Sequence, residues 1–183
     1  MNEFSPTINN GPVKNISSIR KLLDNIYTGA GVLAGVCIVL ITVMILAQIV
    51  GRWFGVIIPS TEDFSGYLLA AASFLALAYT FRLGGHIRVT LLIHLLPSSL
   101  QHKLMYVVLL IFALITGYGA YHLCYLVYES WIFDELSQGY IAIPIWIPQV
   151  PMALGAVLFF IALVDDIVSS LLGHTPAFLR LEE

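Results

Sequence analysis

The chain has 183 residues, of which 59% are hydrophobic and only 10% charged, and its mean hydropathy is +0.91. A soluble domain carries about a quarter charged residues, so most of this chain belongs in lipid, and the length leaves room for a few spanning helices but not for a separate soluble catalytic domain. A net charge of −3 says nothing about nucleic acid, no basic tract suggests such a partner, and none is expected.

The pattern along the chain predicts an all-α integral membrane protein with four transmembrane helices plus interfacial amphipathic helices. Met1 to Asn15 is polar, contains Pro6, Gly11 and Pro12, and reads as a flexible tail. It lacks the layout of a signal peptide. Ser17 or Ser18 then caps a short interfacial helix carrying Ile19, Leu22, Leu23 and Ile26, so residues 1–28 form a tail and an interfacial helix.

Span 1 is expected over residues 29–50, about 33 Å of helix. Gly31 with Gly35, and Ala30 with Ala34, form two small-residue pairs that would let another helix approach. The following loop holds Arg52 and the interface anchors Trp53 and Phe54. Pro59-Ser60-Thr61-Glu62-Asp63 resembles a helix start, with Ser60 as cap and two acids at the positive end of the helix dipole. A second reading of the same residues pairs Arg52 with Glu62 at the membrane surface.

Span 2 is expected over residues 64–81, where Ala70, Ala71, Ala72, Ser73, Ala76 and Ala78 suit close packing against protein. It ends in Phe81 to Val89, FRLGGHIRV, where Gly84-Gly85 releases the helix and Arg82, His86 and Arg88 gather at one boundary. Residues 87–96 are apolar but too short to cross a bilayer and read as a helix lying along its surface. Pro97-Ser98-Ser99 caps the next helix.

Span 3 is expected over residues 104–128, with Ala113, Gly117 and Gly119-Ala120 as its small patch. His122 is the imidazole placed within a span. It is expected to be a buried, hydrogen-bonded structural histidine, with a proton relay or a haem ligand as the functional alternatives. The next loop holds Glu129, Asp134 and Glu135 and no Lys or Arg. Ile141 to Pro151, IAIPIWIPQVP, has too many prolines for a regular helix interior and reads as an extended or kinked segment anchored by Trp146. Span 4 covers residues 146–172, which places Asp165 and Asp166 as solvated acids at the far headgroups, near Arg82 or Arg88. Residues 173–183 form a short tail.

Seven of the eight cations (Lys14, Arg20, Lys21, Arg82, Arg88, Lys103 and Arg180) fall on one side of this layout, and only Arg52 on the other. The positive-inside rule then puts both termini in the cytoplasm. No catalytic constellation, phosphate loop or metal-ligand spacing is present. His86 and His94 would stand about 12 Å apart along a helix, too far to share one metal. Cys37 and Cys124 both lie in apolar segments and read as small packing residues. No enzyme activity and no cofactor are expected.

The residues that remain resemble a family. Arg52 follows span 1, Glu62 precedes span 2, and FRLGGHIRV is followed by Leu96-Pro97. A late segment reads LSQGYIAIPIWIPQVPMALG. This pattern, covering Arg52 to Gly155, is similar to the small membrane subunit, or Q subunit (DctQ-type), of tripartite ATP-independent periplasmic (TRAP) transporters. The resemblance implies a bacterial inner-membrane scaffold subunit in a sodium-coupled transporter. Its implied partners are a large multi-span subunit, a periplasmic substrate-binding protein that delivers an organic acid, and membrane lipid headgroups. Arg52, Glu62, Arg82, His86, Arg88 and Trp146 are the candidate interface or scaffold residues. The alternative is a haem-binding four-helix membrane anchor of a redox enzyme, with His86 and His122 as ligands.

Overall fold

The computed structural model describes residues 14–83 and 98–171. Four helices account for nearly all of them: α1 (Lys14–Trp53), α2 (Thr61–Arg82), α3 (Ser98–Ile132) and α4 (Trp146–Leu171). Each is long and apolar enough to cross a membrane. The expected surface helix at residues 87–96 and both tails lie outside the described residues.

The N-terminal amphipathic stretch is not a separate helix. It forms the first turns of α1, which runs unbroken for 40 residues. Neither Gly nor Pro lies between Asn15 and Thr28 to interrupt it. At 1.5 Å per residue α1 is about 60 Å long, so its N-terminal turns project past a core of about 30 Å. Arg20 Nη2 donates to Ser169 Oγ at 3.4 Å and ties that projection to the end of α4.

The helices pack in a row. Apart from minor contacts, α1 touches α2, α2 touches α4, and α4 touches α3. Two clusters form along this row. Near one end, Tyr27, Ala78, Phe81, Phe159 and Leu163 meet Leu109 and Ala113. The Phe159 ring stands edge-on to Phe81 at 5.8 Å and to Phe112 at 5.7 Å. Farther along, Ala30, Ala34 and Cys37 of α1 lie against Ala71, Ala72 and Leu75 of α2. The alanine pair of α1 is therefore buried. Of the glycine pair, Gly31 lies beneath Tyr79, while Gly35 faces open space.

The closest approach joins α2 and α4. A methyl group added at Gly155 would sit 2.5 Å from the Phe74 carbonyl oxygen and 2.7 Å from the Leu75 nitrogen. Only a residue without Cβ lets the two main chains come this close. Three hydroxyls inside the helices are satisfied by the preceding turn, as suits a lipid surround. Thr42 Oγ1 donates to the Ile38 carbonyl at 3.1 Å, Ser73 Oγ to Leu69 at 2.8 Å and Thr80 Oγ1 to Ala76 at 2.9 Å.

Candidate functional site

The polar residues concentrate at the two ends of the row. Arg82 closes α2, where a cation suits the negative end of the helix dipole. Its Nη1 donates to Asp165 Oδ2 of α4 at 3.0 Å, and its Nη2 donates to Asp24 Oδ1 of α1. The guanidinium carbon lies 5.5 Å from the centre of the Tyr27 ring, within cation–π range. One planar fork thus holds three helices, which a lysine ammonium could not do with the same geometry. The Arg82 side chain is 14% exposed, Asp165 22% and Asp24 50%. Asp165 stands next to Arg82 as the sequence predicts. Asp24 was not expected there; the signal for it was an acid in the basic N-terminal stretch, one turn before Tyr27 and Thr28.

Asp166 departs from expectation. It is buried at 1% exposure rather than solvated. Its position explains this: Phe159, Ala162, Leu163, Asp166 and Ser169 are all buried and recur every three or four residues, so Asp166 belongs to the inner face of α4.

At the opposite end, Ser60 does not cap α2. It takes a left-handed conformation with φ 56°, makes no side-chain cap bond, and accepts the Ile141 N–H on Oγ at 2.9 Å. Thr61 Oγ1 instead donates back to the Ile58 carbonyl at 3.2 Å. The acidic loop between α3 and α4 is folded onto this corner. Leu136 bridges Pro144, the Ser137 N–H donates to the Ile143 carbonyl at 2.8 Å, and the Ile145 N–H donates to the Glu135 carbonyl at 2.9 Å. The buried Ser130 hydroxyl donates to Glu135 Oε2 at 2.9 Å. Between loop and α2 lies an open cleft of about 630 Å³, lined by Asp63, Tyr67, Glu135, Gln138 and Gly139 among others.

The proline-rich segment is extended only as far as Ile145. The helix starts at Trp146, which is half-buried, and continues through Pro148 and Pro151. Pro148 falls in the first turn, where no backbone donor is required. Pro151 alone removes an internal bond. Arg52 and Glu62 are both exposed, and no ion pair joins them among the described residues. His86 and Arg88 lie outside the described residues, so the basic corner is described through Arg82 alone.

His122 is exposed rather than buried. It projects from the side of α3 that faces away from α4, between the rings of Tyr118 at 4.3 Å and Tyr121 at 5.3 Å. Among the described residues no cluster of three or more His, Cys, Asp or Glu side chains converges.

Residues 41–173 match the sequence model of the family described as tripartite ATP-independent periplasmic transporters, DctQ component. The chain belongs to this family. It is a small membrane subunit of a TRAP transporter and a multi-pass protein of the bacterial inner membrane. In TRAP systems the DctQ component works with a large DctM subunit and a periplasmic binding protein. No individual curated protein matches the chain. The haem-anchor alternative gains no support for this DctQ component, since His122 points away from the other helices.

Proposed function

We propose that this DctQ component is a fixed scaffold. In this reading it enlarges the static part of a sodium-coupled transporter that takes up an organic acid. A periplasmic binding protein delivers the substrate, and the large subunit carries substrate and sodium. The small subunit binds neither and catalyses nothing. The observation that carries the proposal is the Arg82 clamp, which ties α1, α2 and α4 together through Asp24 and Asp165. A part against which a transport domain moves must hold its own helices fixed, and a three-way ion pair backed by a main-chain crossing at Gly155 does so.

The orientation belongs to the same proposal. By their order in the sequence, seven of the eight cations precede span 1, fall between spans 2 and 3 or follow span 4, which favours the cytoplasm for the Arg82 end and for both termini. His86 and Arg88 then contact the large subunit or lipid phosphates on that side, as Arg88 can do bidentately, while the Arg82 fork is taken up by Asp24 and Asp165. Arg52, Glu62 and Trp146 contact subunit or headgroups at the periplasmic surface.

The test is Arg82→Ala in the complete, reconstituted transporter. Removing a partly buried partner leaves Asp24 and Asp165 facing each other without a cation, at a cost of about 1–3 kcal/mol in assembly. Assembly or uptake should fall, and adding Asp165→Asn should recover part of the loss. The relative uptake of competing organic acids should not change. A change in which acid is carried overturns the scaffold reading.

A further inference from the structure

We infer that the outward face of α3 is the surface on which the large membrane subunit docks, through a transmembrane helix that offers hydrogen-bonding groups at mid-depth. This rests on the assignment of the chain as a TRAP small subunit. The face comprises positions three and four residues apart along one side of the helix. It changes character along its length. Ile111, Leu114 and Ile115 make its first half aliphatic and exposed, as lipid would accept. Tyr118, Tyr121, His122 and Tyr125 make its second half polar, and all four are exposed.

Depth decides between lipid and protein. Between Lys103 and Glu129 the apolar part of α3 runs from Leu104 to Tyr128. Its midpoint, Thr116, lies about 3 Å from Tyr118 along the helix and about 9 Å from His122, so both fall inside a hydrocarbon core of about 30 Å. Tyrosines that anchor a helix to headgroups sit near the ends of a span. Tyr118 and Tyr121, 70% and 66% exposed, are far from either end. An imidazole at this depth is costly against acyl chains and by default faces protein or a cavity. The hydroxyls of Tyr118, Tyr121 and Tyr125 and the His122 ring make no hydrogen bond to another described residue, yet the two ring contacts hold His122 in place. The cluster is thus ordered by its own chain and satisfied by another.

The row arrangement agrees. Among the described residues α3 is at one edge and packs on α4 alone to any extent, so no other described helix covers its opposite side. A second copy of this chain would set the same tyrosines and histidine against themselves. A different helix can supply complementary donors and acceptors, and the family works with a large DctM subunit.

The test uses the complete transporter in native membranes, with a photoreactive phenylalanine analogue placed at position 118 or 125. The expected result is an adduct with the large subunit from both positions. Adducts between two copies of this chain overturn the inference. So does the absence of any protein adduct from a complex that still contains the large subunit, which would put the face in lipid while leaving the subunit assignment intact. If no large subunit co-purifies at all, the assignment fails and takes this inference with it. A second measurement is the double substitution Tyr118→Leu with His122→Leu. It should lower recovery of the one-to-one complex about tenfold while the chain stays in the membrane at its normal level. His122→Gln, which keeps a hydrogen-bonding group, should retain the complex. Unchanged recovery of the Leu variant overturns the proposal.

Discussion

Gly155→Ala tests whether the α2–α4 crossing is as close as its geometry states. The added methyl would lie 2.5 Å from the Phe74 carbonyl oxygen and 2.7 Å from the Leu75 nitrogen. Ordinary carbon–oxygen contact begins near about 3.3 Å, so the helices must part by roughly 0.8 Å along the line of contact. Both obstructing groups are main chain, and no rotamer change can relieve the overlap. Forced separation of a packed interface costs about 1–3 kcal/mol, and a backbone obstruction belongs at the upper end of that range. Against it, alanine improves helix propensity by about 1 kcal/mol. The net expectation is a loss of about 2 kcal/mol. Thermal unfolding of the purified subunit in mild detergent, followed by loss of helical circular dichroism, should show a transition lowered by several degrees. A Gly155→Ala protein as stable as the parent, or more so, would refute the close crossing, because propensity would then have outweighed sterics.

Two further predictions follow from local geometry. Gly31→Ala should destabilise, since its methyl would lie 2.7 Å from Tyr79 Cγ, whereas Gly35→Ala meets nothing within 4 Å and should be neutral or stabilising by up to about 1 kcal/mol; paired melting curves read the difference in sign. Ser60→Ala removes the acceptor of the Ile141 N–H and should weaken loop docking by about 1 kcal/mol. Hydrogen exchange at Ile141 should accelerate severalfold while exchange within α2 stays unchanged.

Span existence was legible because four apolar runs of sufficient length are a one-dimensional signal. Contacts between spans were legible only in part. The alanine face of α1 announced itself by composition, but the chain gave equal reason to bury Gly31 and Gly35, and only the placement of α2 separates them. Asp165 could be set near Arg82 by counting residues along the helices. Asp166 could have been recognised as inward-facing, because it continues the three- and four-residue spacing of Phe159, Ala162 and Leu163; proximity to the helix end concealed this. Ser60 satisfied every local rule for a cap, yet the returning loop claimed its hydroxyl for Ile141, a contact 81 residues away. His122 differs from expectation for the same kind of reason: its polarity predicts a face turned to its own bundle, but sequence does not say which side of a helix its own chain covers.

The row of helices gives these details a common consequence. In the most apolar window of each helix, 17% of residues are buried in α1 and in α3, against 28% in α2 and 33% in α4. Among the described residues the edge helices are covered on one side only, and even the inner pair presents broad surface. A closed four-helix bundle would cover every member on two sides. Lipid supplies no hydrophobic drive to hold such a slab together, so its cohesion depends on close packing and on polar bonds. Both meet on the seam between α2 and α4, where Gly155 against the Phe74 main chain and Asp165 against Arg82 join the two helices at points about 15 Å apart along α4, while the same Arg82 reaches α1 through Asp24. Two such ties resist hinging as well as separation. The seam therefore holds α2 and α4 in one relative orientation and leaves the exposed faces of the described helices to lipid and to a partner.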